Sequence, residues 1–222
     1  MEPAAILNQI ARLTALQTLI EPVAVMVFAF SGMVPARTKQ MDGVGVYIVA
    51  FVTALGGGTL RDVLLDQRPL FWVEHQEYPI LILILVLIFL YAPRFNLPFQ
   101  PLARQYFNLV DALGLGLFSI SGTAAALAHQ IPLFPATLFG VITGVFGGVL
   151  RDVLITEIPM IFRQSTSLYA TCSFVGCWAF LLALWLEWPD AIAVLLGITT
   201  TTTLRLLALH FNLTLPLGQK GG

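Results

Sequence analysis

The chain has 222 residues, of which 58% are hydrophobic and 10% charged, with a mean hydropathy of +0.87; ordinary soluble domains carry about 45–50% apolar and about 25% charged residues. Most of the surface therefore faces lipid, and the length suits a single membrane domain over residues 1–222 with no separate soluble unit. The net charge of −1 comes with no Lys/Arg cluster able to neutralise a row of phosphates, which excludes nucleic acid as a partner.

Met1-Glu2-Pro3 opens without a basic n-region or a small-residue cleavage site, so the first apolar run is expected to stay as an anchor. Apolar stretches near the 20 or so residues that cross a bilayer core of about 30 Å are predicted at about 17–36, 43–65, 106–128, 132–155, 167–186 and 189–209. Between the second and third of these lies the aliphatic run from Pro79 to Ala92. It is short for a span unless Tyr78 and Leu70-Phe71-Trp72-Val73 help it through the interface. Tyr78, Tyr91, Tyr106, Trp185 and Trp188 fall at segment ends, where amphipathic rings favour the headgroup level.

Seven spans place the two termini on opposite sides. One set of loops holds Arg12 and Arg68, and the other holds Arg37, Lys39, Arg94, Arg104, Arg163 and Lys220. The positive-inside rule then puts the N-terminus outside and the C-terminus in the cytoplasm of a multi-pass inner-membrane protein. Glu74, Glu77, Glu187 and Asp190 gather on the outer face. They either form a mouth that attracts cations or merely reflect the indifference of the insertion rule to acids.

Gly57-Gly58-Thr59-Leu60-Arg61-Asp62-Val63-Leu64 returns as Gly147-Gly148-Val149-Leu150-Arg151-Asp152-Val153-Leu154, an offset of 147 − 57 = 90. The same offset carries Phe28, Ser31 and Gly32 onto Phe118, Ser121 and Gly122, Thr53 onto Thr143, Pro69 onto Pro159, and the acid Glu21 onto the acid Asp111. Each copy holds three spans, an odd number, so the second enters the membrane from the opposite side. The predicted fold is all-α: seven transmembrane helices as two inverted three-helix repeats, at about 17–92 and 106–186, plus a seventh helix at about 189–209. Inverted repeats with interrupted helices at their interface characterise many transport proteins.

Gly56, Gly57 and Gly58 in the second helix, and Gly147 and Gly148 in the fifth, each cost about 1 kcal/mol of helix stability relative to Ala. Two uses repay that cost. Ala50, Ala54 and Gly58, with Gly140, Gly144 and Gly148, form small-residue ridges for close helix packing; alternatively the glycines kink or break the helix beside a water-filled path. Arg61 and Asp62, with Arg151 and Asp152, follow within the membrane, where ionisable groups are costly and usually functional. Adjacent Arg and Asp are not expected to face each other on a helix, so partners are sought elsewhere, at Glu21 and Asp111. Snorkelling of Arg61 and Arg151 to opposite interfaces is the competing reading. Ser31 and Ser121, each before a glycine, serve either packing or a passing cation, and the hydroxyls of Thr199 to Thr203 before Arg205 bond back to their helix or line a polar path.

Cys172 and Cys177, five apart in one apolar segment, read as packing residues. His75, His129 and His210 are scattered and no HExxH or GxSxG arrangement occurs, so neither an enzyme nor a cofactor is expected.

Two Gly-Gly-x-x-Arg-Asp helices ninety residues apart, with a seventh helix after them, resemble the TRIC (trimeric intracellular cation channel) family and its bacterial relatives with paired glycine-rich domains, over about residues 15–210. The resemblance implies homotrimers in which every protomer has its own potassium-permeable pore, flanked by kinks at Gly56, Gly57, Gly58, Gly147 and Gly148. It makes Arg61, Asp62, Arg151 and Asp152 pore or gating residues, and implies membrane lipids and monovalent cations as partners. The Lys-Glu-Gly-Asp motif that animal members use for phosphoinositide binding is missing from this chain, so lipid regulation and voltage sensing are not carried over. Some bacterial relatives look like glycine transporters, with Gly57 and Gly58 amides at a half-helix N-terminus, beside Arg61, as the expected carboxylate site.

Overall fold

A computed structural model describes residues 3–91, 101–163 and 168–213. Among them the order is α1 (Pro3–Thr38), α2 (Gly43–Leu64), α3 (Phe71–Glu74), α4 (Glu77–Tyr91), α5 (Pro101–Ala128), α6 (Leu133–Leu154), a 3-10 turn (Met160–Phe162), α7 (Tyr169–Trp185) and α8 (Asp190–His210), with no strand. Arg94 and Lys220 of the loop-charge comparison lie outside the described residues, as does the side chain of Arg104.

Among the described residues, five helices are long and apolar enough to cross a membrane: Ala11–Thr38 within α1, then α2, Gln105–Ala128 within α5, α6 and α8. α4 and α7 are shorter, at 15 and 17 residues, about 22 and 26 Å of helix. The segment ahead of each is tied to the end of the long helix that precedes it. Phe71 N–H donates to Asp62 Oδ2 at 2.8 Å and Trp72 Nε1 to Thr59 Oγ1 at 3.0 Å, while Met160 N–H donates to Asp152 Oδ2 at 2.9 Å. Tyr78, in the first turn of α4, is buried against Phe71 and His75, with ring centroids 5.8 and 5.5 Å apart. Tyr91, Tyr106, Trp185 and Trp188 are exposed.

The ninety-residue offset extends to the backbone. α1 and α5 both end through a left-handed residue, Gln40 (φ 57°) and Gln130 (φ 60°), and α2 and α6 through Asp66 (φ 53°) and Thr156 (φ 59°). In each turn the next N–H reaches back five residues, as Met41 to Ala36 O and Ile131 to Ala126 O, or Gln67 to Asp62 O and Glu157 to Asp152 O. Such closure satisfies carbonyls that the helix end would orphan. The pattern of buried and exposed residues over 51–64 is identical to that over 141–154.

Phe28 of α1 and Phe118 of α5, an offset pair, meet with centroids 5.1 Å apart where these helices cross. α2 and α6 cross beside them. α8 belongs to neither repeat and packs on α5 and α7 through glycines: Gly116 against Ile198 and Thr202, Gly176 against Thr201, and Gly197 against Ile120 and Phe180. Thr199 and Thr201 bond back to Leu195 O and Gly197 O, which accounts for two of the five hydroxyls; Thr202 instead reaches Ala112 O of α5 at 3.4 Å. Cys172 and Cys177 are buried free thiols.

Candidate functional site

The glycines set how closely the two repeats approach. A Cβ on Gly57 would collide with the Thr143 carbonyl oxygen, and a Cβ on Gly147 with that of Thr53. Residues 53 and 143, like 57 and 147, are offset partners, so the α2–α6 crossing is reciprocal. Gly32 and Gly122 repeat the device, lying against Thr53 with Ala50 and against Thr143 with Gly140. Both α2 and α6 are helical without interruption through these positions. Gly57 and Gly147 therefore permit close backbone approach, and the helical hydrogen-bonding run is unbroken there. The half-helix N-terminus expected at Gly57 and Gly58 is likewise absent, since an unbroken helix keeps those amides engaged. Gly56 borders an apolar pocket of about 340 Å³ beside Trp72, Phe146 and Leu150.

One turn beyond the crossing stand the arginines. Arg61 is fully buried, and its Nη1 donates to Glu21 Oε1 of α1 at 2.6 Å and to Ser121 Oγ of α5 at 3.5 Å. Its Nε donates to Asp62 Oδ1 at 2.8 Å. The second cluster is the offset copy: Arg151 Nη1 donates to Asp111 of α5 and to Ser31 Oγ of α1 at 2.8 Å, and its Nε to Asp152 Oδ1 at 2.9 Å. Each arginine thus takes its distant carboxylate from its own repeat and its serine from the other. Ser31 also donates to Asp111 Oδ1 at 3.1 Å, and Ser121 to Glu21 Oε1 at 3.4 Å.

Neither arginine snorkels, because both are enclosed. The partners Glu21 and Asp111 are as expected, but the sequence neighbours Asp62 and Asp152 are partners as well. The neighbour rule describes side chains leaving the helix in different directions; the long arginine stem folds back along the helix and brings its Nε and Nη2 onto the adjacent carboxylate, Nη2 lying 2.7 Å from Asp62 Oδ1. The second oxygens of Asp62 and Asp152 hold the re-entrant segments through Phe71 and Met160 N–H.

Several groups at the clusters escaped the sequence reading. Gln17 Nε2 donates to Glu21 Oε1 at 2.9 Å, and the offset partner of Gln17 is Phe107, whose ring lies 4.9 Å from the Arg151 guanidinium. The Phe71 ring lies 5.3 Å from that of Arg61. Arg205 of α8 lies 4.6 Å over the Tyr169 ring. Extending the offset by one turn along α1 and α5 finds Gln17 and Phe107; nothing in the sequence signals Phe71, because its place depends on the re-entrant turn. Among the described residues no group of His, Cys, Asp and Glu is arranged to hold a metal ion.

A family model described as "Glycine transporter" matches residues 18–94 and 108–185, one stretch for each repeat. A UPF0126 membrane protein of Vibrio cholerae is 37% identical over 206 residues, covering 91% of this chain and 83% of its own length. The UPF0126 inner membrane protein YadS of Escherichia coli is 36% identical over 201 residues, covering 89% of this chain and 93% of its own. Among solved structures, a TRIC trimeric intracellular cation channel orthologue from Rhodobacter sphaeroides superposes with a TM-score of 0.81 at 30% identity, covering 89% of this chain and 98% of that one. A second structure, described for conductance through TRIC cation channels, gives 0.76 at 31% identity over 92% of this chain and 98% of that one. This chain is a multi-pass membrane protein and belongs to the family shared by the glycine-transporter model and the UPF0126 proteins, the prokaryotic branch of the TRIC family.

Proposed function

We propose that the protein is a monovalent cation channel, permeable to potassium, with one pore in every protomer of a homotrimer. The observation that carries this reading is the pair of buried arginine–carboxylate–serine clusters, each assembled from helices of both repeats and set beside the α2–α6 crossing. Ionisable groups at such depth are retained where they serve a pathway, and the structural neighbours are described as cation channels, one of them as trimeric. Arg61, Asp62, Glu21 and Ser121, with Arg151, Asp152, Asp111 and Ser31, are the pore or gating groups. Gly57 and Gly147 set the helix spacing around them, with Gly56, Gly58 and Gly148 alongside.

In this reading residues 1–222 form one membrane domain in the inner membrane, with seven spans as two inverted three-helix repeats and α8 as the seventh. Alternating crossings would put residues 12 and 190 at one face and residues 39 and 157 at the other. Two ion pairs support this: Arg12 Nε to Asp190 at 2.9 Å, and Lys39 Nζ to Glu157 at 2.6 Å. The loop charges favour an outer N-terminus and a cytoplasmic C-terminus, with lipids around the assembly.

Purified, folded protein in planar bilayers with potassium on both sides is expected to show unitary currents; consistent silence overturns the channel. Native mass spectrometry from detergent tests the trimer, and a monomer would overturn that part alone. Carriage of glycine is favoured by the family description only. Saturable glycine counterflow in liposomes from the same preparation would support the carrier over the channel.

A further inference from the structure

The two clusters match in their arginines, carboxylates and serines, but not in the residue one turn ahead of each distant carboxylate. Gln17 precedes Glu21 on α1 and Phe107 precedes Asp111 on α5, at the repeat offset of 107 − 17 = 90. Arg61, Asp62, Glu21 and Ser121 are buried, as are Arg151, Asp152, Asp111 and Ser31. Gln17 and Phe107 are half-buried, and the next residues toward the start of each helix, Arg12 and Thr14 on α1 and Gln105 and Tyr106 on α5, include exposed ones. These two side chains therefore stand on the approach from the surface to each cluster. In the inverted arrangement proposed above, the two approaches open to opposite faces of the membrane.

The approaches differ in chemistry. Gln17 Nε2 donates to Glu21 Oε1 at 2.9 Å, and an amide also carries an acceptor oxygen for water or a cation. Phe107 offers no such group. Its ring lies 4.9 Å from the Arg151 guanidinium, within the range at which a ring face attracts a cation, so the arginine holds the ring over its own cluster. Phe71 lies 5.3 Å from Arg61, but it is buried and tied to Asp62 through its N–H. It forms part of the wall of the first cluster and not its approach.

A monovalent cation either keeps its water shell or exchanges it for protein oxygens, and an apolar ring across the path supplies neither; hydrophobic constrictions close pores in this way, by dewetting. We propose that Phe107, held by Arg151, is the apolar constriction of the pore at the second cluster, while Gln17 keeps the approach to the first cluster wet. Permeation is then limited at one mouth, although the charged groups of the two mouths are alike. The inference rests on the channel reading.

The test is single-channel recording of the full chain in symmetric potassium chloride, with the melting temperature of each variant measured in detergent. F107Q gives the second approach the residue of the first, and is expected to raise the unitary potassium conductance severalfold. F107L keeps an apolar side chain without an aromatic face, and is expected to change conductance far less. A marked fall with F107L would mean that the ring draws cations through its face, and overturns the inference. Q17F constricts both approaches and is expected to lower conductance severalfold. The exchange Q17F/F107Q leaves one ring, at the opposite mouth, and is expected to bring conductance back toward the wild-type value. A merely structural Phe107 would not order these variants by the number of apolar side chains on the two approaches. If F107Q does not fold, F107L and Q17F carry the test, and wild-type conductance in Q17F overturns the inference. An F107Q channel that conducts as the wild type also overturns it, while the channel reading stands. A silent wild-type protein overturns the channel reading, and this inference with it.

Discussion

Arg61 keeps two carboxylates, Glu21 at 2.6 Å through Nη1 and Asp62 at 2.7 Å through Nη2, and none of the three meets solvent appreciably. Taking away the arginine therefore costs far more than taking away one acid, because what remains is buried unpaired charge. R61Q strands both carboxylates and is expected to lose about 3–5 kcal/mol of stability, read as a large drop in melting temperature in detergent. E21Q leaves the Arg61–Asp62 pair intact and is expected to lower the melting temperature only slightly, while weakening potassium conductance. Equal destabilisation by the two would show that charge balance is not what holds the cluster. At the surface, Glu157 accepts from Lys39 Nζ at 2.6 Å and from Arg163 Nη2 at 3.2 Å. The Lys39 hydrogen bond, then the Lys39 charge, hold its carboxyl below the usual carboxylate range. A carboxyl lowered in the folded state stabilises above its unfolded value of about 4.3 and loses that contribution as pH falls through the folded one. The difference in melting temperature between wild type and E157Q is thus expected to be small but present at neutral pH, to shrink as pH falls below the unfolded value of about 4.3, and to vanish once pH is below the lowered folded value. A difference that persisted in acid would contradict the assignment.

At the scale of elements, the α2–α6 crossing depends on two residues without side chains. A methyl on Gly57 or Gly147 would strike a backbone carbonyl, Thr143 or Thr53, which cannot rotate aside. G57A and G147A are each expected to destabilise by about 1–3 kcal/mol, the usual cost of overpacking, and to alter conductance by spreading the helices. Gly43, at the exposed start of α2, would meet only Leu90 Cδ1 at 3.4 Å, so G43A is expected to be neutral or slightly stabilising. Tolerance of G57A equal to that of G43A would undo the close-contact account. The same glycines show where sequence reading ends. Their repetition at an offset of 90 is plain, but Gly-Gly in a membrane helix suits both an interruption and a tight crossing, and the carbonyls that Gly57 and Gly147 face carry no signal in the sequence. The positions of α2 and α6 were legible from apolar length, as were Glu21 and Asp111 as partners, since a buried arginine needs a distant acid. The burial of Tyr78 was not legible, because it follows from the turn after Asp62 folding back into the bundle, a tertiary event with no local signal. The Arg61–Asp62 contact was missed for a related reason: the reach of a long side chain outweighed its direction of departure.

For the molecule as a whole, the offset of 90 predicts more than likeness, because an odd number of crossings inverts the second copy. Gln40 and Gln130 test this directly. They occupy offset positions in the turns after α1 and α5, both exposed and both left-handed, at φ 57° and 60°. Cysteine is no worse than glutamine at such a φ, since both carry a Cβ, so Q40C and Q130C are expected to fold equally well. The native thiols Cys172 and Cys177 are buried and leave the introduced one as the reporter. With Arg37, Lys39 and Arg163 on the cytoplasmic side, a membrane-impermeant maleimide applied to intact spheroplasts is expected to label Q130C and spare Q40C, and inside-out vesicles to reverse the pattern. Labelling of both from one side would mean that the repeats are parallel, and the pairing of Arg61 with Ser121 and Arg151 with Ser31 across an inverted axis would need another origin. Labelling of opposite sides in the reverse order would keep the inverted repeats and overturn only the orientation read from the loop charges.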